Sequence, residues 1–257
     1  MKDYSREIER LHTAKKRRNG AMRSPVPRLG IIIPSSNTTM EKEFNSLGTG
    51  KFTVHSTRVG LSRVTVAQLE KMESGAEEAA TLLADANVDI IAYGCTSGSL
   101  YRGLGHDVKL ANSITKKTRL PAVATAGCVV DGLKLLRAHR VSVATPYVDE
   151  INDLEKKFLS NNGFEVLQIK GLGIEDNLSI GRLQGKRLIE LAKEADCESA
   201  QVVFISCTNL ASLDIIPELE RTLGKPVISS NSATLWSMLR KIGQDCYWID
   251  WGTLFRT

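Results

Sequence analysis

Two short apolar runs, each closing on a Cys-Thr pair, constrain the fold of this chain more than any other feature. Val88–Gly94 leads into Cys95-Thr96-Ser97-Gly98-Ser99, and Val202–Ser206 leads into Cys207-Thr208-Asn209. Runs this short and this apolar suit strands buried on both faces, as in parallel sheets covered by helices. Each thiol then stands at the C-terminal end of a strand, where open α/β sheets place their chemistry. The two sites lie 112 residues apart in halves that look alike. The thiols can therefore face each other across one cleft.

The rest of the pattern repeats the same design. Arg28–Ile33 reads as a buried strand stopped by Pro34, and residues 52–59 as a second strand. Thr65-Val66-Ala67-Gln68 has the form of a capping box. It opens a helix whose Val66, Leu69, Met72, Ala76, Ala79, Leu82 and Leu83 fall largely on one face. Strand 88–94, the Cys95 loop, a helix to about Lys117 and a short strand at Ala122–Thr125 follow.

The cycle then restarts. A strand at Val141–Ala144 is stopped by Thr145-Pro146-Tyr147, and a helix runs from about Asp149 to Asn161, ending at Asn162-Gly163. Phe164–Ile169 is a strand, 182–195 a helix, and 202–206 the second Cys strand. A helix over 212–223 and a strand at Val227–Ser229 complete the half. Pro34 matches Pro146 and Cys95 matches Cys207, both at an offset of 112, while Pro121 matches Pro226 at 105. The expected fold is α/β, with two lobes related by a pseudo-twofold axis and an active site between them. Each lobe is a parallel sheet of about four strands flanked by helices.

The formal charge of +5 sits almost wholly in residues 1–28, which hold nine Lys/Arg and three Asp/Glu. The remaining body is close to neutral. The Lys15-Lys16-Arg17-Arg18 run reads as a solvated extension or an oligomer arm, since no recognition module accompanies it, and no nucleic-acid partner is expected. No apolar stretch approaches the ~20 residues of a membrane span, and the N-terminus lacks the apolar segment of a secretory signal. Five cysteines without disulfide-framework spacing suit a reducing compartment, so a cytoplasmic location is expected.

A thiol does nucleophilic or acid–base work as a thiolate or with a proton ready to give. Free backbone N–H groups at a helix start favour the thiolate. Thr96 and Ser97 beside Cys95, and Thr208 beside Cys207, add hydroxyl donors for an anionic ligand. Asn37 follows a strand end and suits either a substrate carboxylate or a turn or helix cap. Tyr147 suits either a phenol donated to the same anion or packing, and Asn231 either anion binding or capping. Asn177 is a weaker candidate. Cys128, Cys197 and Cys246 have no matched partner and read as structural or incidental. The four His are scattered without metal-ligand spacing, no phosphate-binding loop is present, and no metal or cofactor is implied.

With these residues in view, the chain resembles the aspartate/glutamate racemase superfamily over roughly residues 28–257. It is most similar to the branch of maleate cis-trans isomerases, EutA proteins and arylmalonate decarboxylases. The resemblance rests on Pro34-Ser35-Ser36-Asn37-Thr38-Thr39-Met40-Glu41, Cys95-Thr96-Ser97-Gly98-Ser99-Leu100-Tyr101-Arg102-Gly103, Thr145-Pro146-Tyr147-Val148-Asp149-Glu150-Ile151-Asn152 and Leu213-Asp214-Ile215-Ile216-Pro217-Glu218. It implies that Cys95 adds to the double bond of a cis-dicarboxylate and that Cys207 handles the proton. It also implies that Asn37 and Tyr147 bind carboxylates, with the backbone around Thr96, Ser97 and Thr208. Decarboxylases of this type carry Gly where this chain has Cys95, which favours a two-thiol reaction. The run after Cys95 and the Gly171–Gly181 loop, with Asp176-Asn177-Leu178, depart from maleate isomerases toward EutA-type sequences. Exchanged chain ends are implied too. The expected division is a basic extension over 1–27, one lobe of 28–118 plus 225–257, and a second of 119–224, with a homo-oligomer compatible.

The expected function is a cofactor-independent two-cysteine isomerase of a small carboxylate, of the maleate-to-fumarate type. A 1,1-proton-transfer racemase, an arylmalonate-type decarboxylase and a non-catalytic carboxylate or nucleic-acid binder are the alternatives.

Overall fold

The computed structural model describes residues 26–183 and 185–257; the basic extension lies almost wholly outside the described residues. Two four-stranded parallel sheets form the frame. The first is built from β1 (Arg28–Pro34), β2 (Thr53–Val59), β3 (Ile90–Tyr93) and β4 (Ala122–Ala124), in the order β2-β1-β3-β4. The second is built from β5 (Arg140–Thr145), β6 (Glu165–Gly171), β7 (Val202–Ile205) and β8 (Val227–Ser229), in the order β6-β5-β7-β8. The two orders are the same once each strand is matched to its counterpart. In both, the order reverses between the first and third strands, which opens a crevice at their C-terminal ends.

The central strands are apolar because they are covered on both faces. Leu29, Ile31, Ile32 and Ile33 of β1, Ile90–Tyr93 of β3 and Val202–Ile205 of β7 are all buried. The edge strands β2 and β6 are only partly buried. The helices are α1 (Met40–Leu47), α2 (Val66–Ser74), α3 (Ala76–Asp85), α4 (Thr96–Leu100), α5 (His106–Thr118), α6 (Thr125–Leu135), α7 (Asp149–Asn161), α8 (Asn177–Gly181), α9 (Gly185–Ala195), α10 (Ile216–Leu223) and α11 (Ser230–Lys241). Among the described residues no helix is long and apolar enough to cross a membrane.

Several sequence expectations need correction. The helix opening at Val66 breaks at Gly75, where a Cβ would meet Val59 Cγ1 at 2.8 Å. The second segment faces the core through Ala76, Ala79, Ala80 and Leu83, so Leu82 is 57% exposed rather than internal. The Thr65 hydroxyl makes no capping bond. The stretch at 212–223 starts as a single 3-10 turn, Leu213–Ile215, before α10. Asn177–Gly181, read as loop, is the short helix α8, capped by Asp176.

Strand pairing also moves the lobe boundaries. β4 pairs with β3, so the first sheet continues past residue 118, and β8 pairs with β7, so the second continues past 224. After β8, helix α11 crosses back onto α6, β3 and β4 of the first sheet. Thr234 Oγ1 donates to Thr125 Oγ1 at 3.1 Å along that contact, and Leu254 and Phe255 near the C-terminus are buried.

Candidate active site

Cys95 caps the N-terminus of α4. Its sulfur accepts the Gly98 N–H at 3.3 Å and lies 3.7 Å from the Ser97 hydroxyl. Gly98 is required by this close approach, because a Cβ there would stand 3.0 Å from both Cys95 Sγ and Tyr93 Oη. The far end of α4 is pinned from outside. His106 Nε2 bonds the Gly98 carbonyl at 3.2 Å and packs edge-on against Tyr101, whose hydroxyl donates to Glu73. Burial raises the Glu73 carboxyl, but the Tyr101 and Arg102 hydrogen bonds outweigh it and leave Glu73 below its ordinary range.

Cys207 follows β7 with φ +121, the conformation that favours glycine. Its N–H donates to Ser230 Oγ at 3.0 Å, and its sulfur accepts the Asn209 N–H at 3.4 Å. Tyr147, buried beside Cys207, favours its thiolate. Both thiols are buried, and burial raises both. Cys207 is pushed up to about 12 against the pull of Asn209 and Tyr147, with a further upward push from Cys95. Cys95 moves in the same direction, opposed by Gly98 and Ser97.

The two halves are stitched together around these sulfurs. Thr208 Oγ1 donates to the Gly94 carbonyl at 3.1 Å and accepts the Asn37 amide at 3.1 Å. Thr96 Oγ1 donates to Ser230 Oγ at 2.8 Å, the same oxygen that receives the Cys207 N–H. Asn209 binds the Thr38 N–H at 2.8 Å and the Asn177 carbonyl at 2.6 Å.

Cys95, Cys207, Asn37, Thr96, Ser97, Tyr147, Thr208 and Asn231 are all buried. Asn37 does both things its position allows. Its Oδ1 accepts the Thr39 and Met40 N–H groups and caps α1, while its amide nitrogen reaches Thr208 and keeps one N–H for another partner. The Thr96 hydroxyl is committed to Ser230, so only its backbone is left for a ligand. Asn231 is tied to Glu43 Oε2 at 2.6 Å and the Thr208 carbonyl at 3.1 Å; its Oδ1 has no partner among the described residues. Asn177 donates to Ser36 Oγ and holds Asn209. Cys128 and Cys246 are buried and Cys197 is near the surface, and all five thiols are free.

Sequence reasoning missed Ser230, Tyr93, Glu43 and Glu155. Ser230 lies between the strand end at Ser229 and the candidate Asn231 and was given no role, yet it joins both thiol loops. Tyr93 is fully buried beneath Cys95, its hydroxyl without a partner among the described residues. Among the described residues no group of three or more His, Cys, Asp or Glu could hold a metal ion.

The chain is similar to known proteins over most of its length. The maleate isomerase of Geobacillus stearothermophilus is 32% identical over 241 residues, covering 88% of this chain and 96% of that protein. The maleate isomerase of Pseudomonas putida S16, solved with maleate as a cysteine-to-alanine variant, has a TM-score of 0.86 at 30% identity, covering 90% of this chain and 97% of that one. The Nocardia farcinica maleate cis-trans isomerase, solved as a cysteine-to-serine mutant with a covalently bound succinylcysteine intermediate, has a TM-score of 0.87 at 26% identity, covering 90% of this chain and 98% of that one. Residues 29–255 match the family described as arylmalonate decarboxylase. The matching span takes in both sheets and both thiol loops, and the protein belongs to the arylmalonate decarboxylase family, within the racemase superfamily its motifs resemble.

Proposed function

We propose that this protein is a maleate cis-trans isomerase working through two thiols without a cofactor. The observation that carries the proposal is the pair of buried cysteines at matching strand ends of two equivalent sheets, their loops joined through Thr96–Ser230–Cys207 and Thr208–Gly94. The similarity to maleate isomerases over most of the chain supports the same substrate.

The reactive species is the Cys95 thiolate, a minor form because burial raises the thiol. The Gly98 N–H and Ser97 hydroxyl favour it. Its attack on one olefinic carbon of maleate forms a C–S bond, and the adjacent carbon takes the proton of Cys207. The former double bond is now single and rotates. Cys207 thiolate removes the proton again, the C–S bond breaks, and fumarate leaves with the Cys95 thiolate restored. The remaining Asn37 N–H, the Tyr147 phenol and the backbone at Thr96, Ser97 and Thr208 bind the two carboxylates. These neutral donors are fixed before the substrate arrives, which is how preorganised dipoles stabilise developing charge. We further propose a cytoplasmic location, where five free thiols stay reduced.

Incubation with maleate in deuterium oxide under reducing conditions, followed by proton NMR, tests the reading. Growth of the fumarate signal in the wild type, and its absence in Cys95→Ser, is expected. An unchanged maleate spectrum with loss of the α-proton signal from a chiral amino or hydroxy acid would replace it with a racemase.

A further inference from the structure

Glu43 and Glu155 are separated by 112 residues, the offset that relates Cys95 to Cys207 and Pro34 to Pro146. Each lies on the helix that follows the first strand of its sheet, α1 or α7. Their surroundings differ. Glu43 is partly buried and has a donor on each oxygen, the Leu213 N–H at 2.9 Å and the Asn231 amide at 2.6 Å. Glu155 is 0% exposed. Its Oε1 meets only the Ser206 hydroxyl, at 2.6 Å, and its Oε2 has no partner among the described residues.

The gap beside Glu155 is walled by Thr96 and Leu100 of α4, Val129 of α6, Phe158 of its own helix and Phe204 of β7, and is too tight for a water molecule. None of these side chains carries a charge. The titratable groups whose charge it shares are Cys207 and Tyr147. Ser206, which it binds, immediately precedes Cys207. One member of the matched pair thus has a donor on each oxygen, and the other, nearer the thiol, has one hydrogen bond and no partner for its second oxygen among the described residues.

We infer that Glu155 is a positioning residue for Cys207 that works as the neutral carboxylic acid, holding the Ser206 end of β7 while keeping negative charge away from the thiol. A buried carboxylate with one hydrogen bond and no cation is costly, so the group keeps its proton. Burial pushes Glu155 up to about 7, with only Ser206 pulling it down.

The consequence for turnover rests on the two-thiol reading above. Cys207 is transiently a thiolate after giving up its proton, and an ionised Glu155 would repel that charge. Turnover rises with pH as more Cys95 becomes thiolate, and above about pH 7 that rise should be blunted as Glu155 loses its proton. Glutamine at this position is neutral at every pH and nearly the same shape.

The test compares wild type with Glu155→Gln by three readouts. In infrared difference spectra, the carbonyl stretch of a protonated carboxylic acid should be present in wild type at low pH and missing from the variant. The ratio of wild-type to variant kcat/KM on maleate should fall as pH passes about 7, with the two within about fivefold of each other at low pH. Alkylation of Cys207 at mildly alkaline pH, followed by peptide mass spectrometry, should be faster in the variant by about threefold or more, because one repelling charge is gone.

A folded variant inactive at every pH would overturn the inference, since a carboxyl proton or charge would then be needed in the chemistry. A wild-type to variant ratio that stays flat across pH 7, or an unchanged alkylation rate, would also overturn it. If wild type fails to isomerise maleate, the substrate reading falls, while the infrared and alkylation readouts still decide the role of Glu155. Should Glu155→Gln not fold, the same infrared band in Glu43→Gln, where Glu43 cannot contribute, decides it instead: titrating away near pH 7 supports the inference and ionised throughout overturns it.

Discussion

Thr208 Oγ1 donates to the Gly94 carbonyl at 3.1 Å, so the residue after one thiol is bonded to the residue before the other. The bond spans the two sheets, and the Asn37 amide rests on the same oxygen. With the Thr96–Ser230–Cys207 chain, it makes the relative position of the sulfurs a property of both halves together. Neither Cys loop is positioned by its own sheet alone.

Thr208→Val keeps the shape and removes the hydroxyl. The Gly94 carbonyl then loses the Thr208 donor and the Asn37 amide loses its acceptor, both inside the protein. An unmet buried polar group costs about 1–3 kcal/mol, so the urea midpoint should drop accordingly. Maleate turnover should fall by roughly tenfold or more, because small misplacement of reacting groups is expensive. A stable variant with full activity would show that the bridge does not set the site.

Cys207→Ser should stop the cycle after addition. Cys95 can still add to maleate with water supplying the proton, but a neutral serine hydroxyl is a far weaker base than the Cys207 thiolate for removing the proton that must leave before elimination. Mass spectrometry of the intact variant after exposure to maleate should show a gain of one substrate molecule, mapped to the Cys95 peptide. Cys95→Ser should show none.

Most of the frame was readable because its signals are local. Apolar runs such as Leu29–Ile33 and Val202–Ile205 have one use in a chain of this length, and Pro34, Pro146 and the Cys-Thr pairs mark where they stop. The helices α6 and α11 were not readable. They are buried on nearly every side, so no polar face marks them, and α11 carries Ser, Asn and Thr side chains that look like loop residues. Those polar groups are satisfied internally, by the Ser229–Ser232 capping box and by Thr234 donating to the Ser230 carbonyl. Glu155 was hidden in an acidic stretch that reads as surface. Its spacing gave a usable signal: Ile151, Glu155 and Leu159 recur every fourth residue and share one buried face.

Burial of the two glutamates also makes stability depend on pH. Glu155 moves from 4.5 up to about 7 on folding. A raised group favours the folded state fully below its unfolded value, and that share is lost as pH climbs through the folded value. Stability should therefore decline between about pH 4.5 and 7, by on the order of 3 kcal/mol for Glu155. Glu43, also raised to about 7 by burial, adds a slope of the same sign. Urea midpoints across this range should fall in wild type and fall less steeply in Glu155→Gln. Equal slopes would mean that Glu155 is not buried as an acid.

The backbone of Cys207 provides a last test, independent of any substrate. At φ +121 a side chain crowds its own backbone, a strain of about 1–3 kcal/mol that only glycine escapes. The N–H of Cys207 on Ser230 and its sulfur on Asn209 hold the strained turn in place. Glycine there also loosens the unfolded chain, which offsets roughly 0.4–1 kcal/mol of the relief. Cys207→Gly should still be more stable than Cys207→Ala, by about 1 kcal/mol, or about 2–4 °C in Tm for a protein of this size. Both variants lack the thiol and should be equally inactive on maleate, so the comparison isolates the backbone. If the alanine variant is the more stable, the turn at Cys207 carries no strain, and the thiol is aimed by its hydrogen bonds alone.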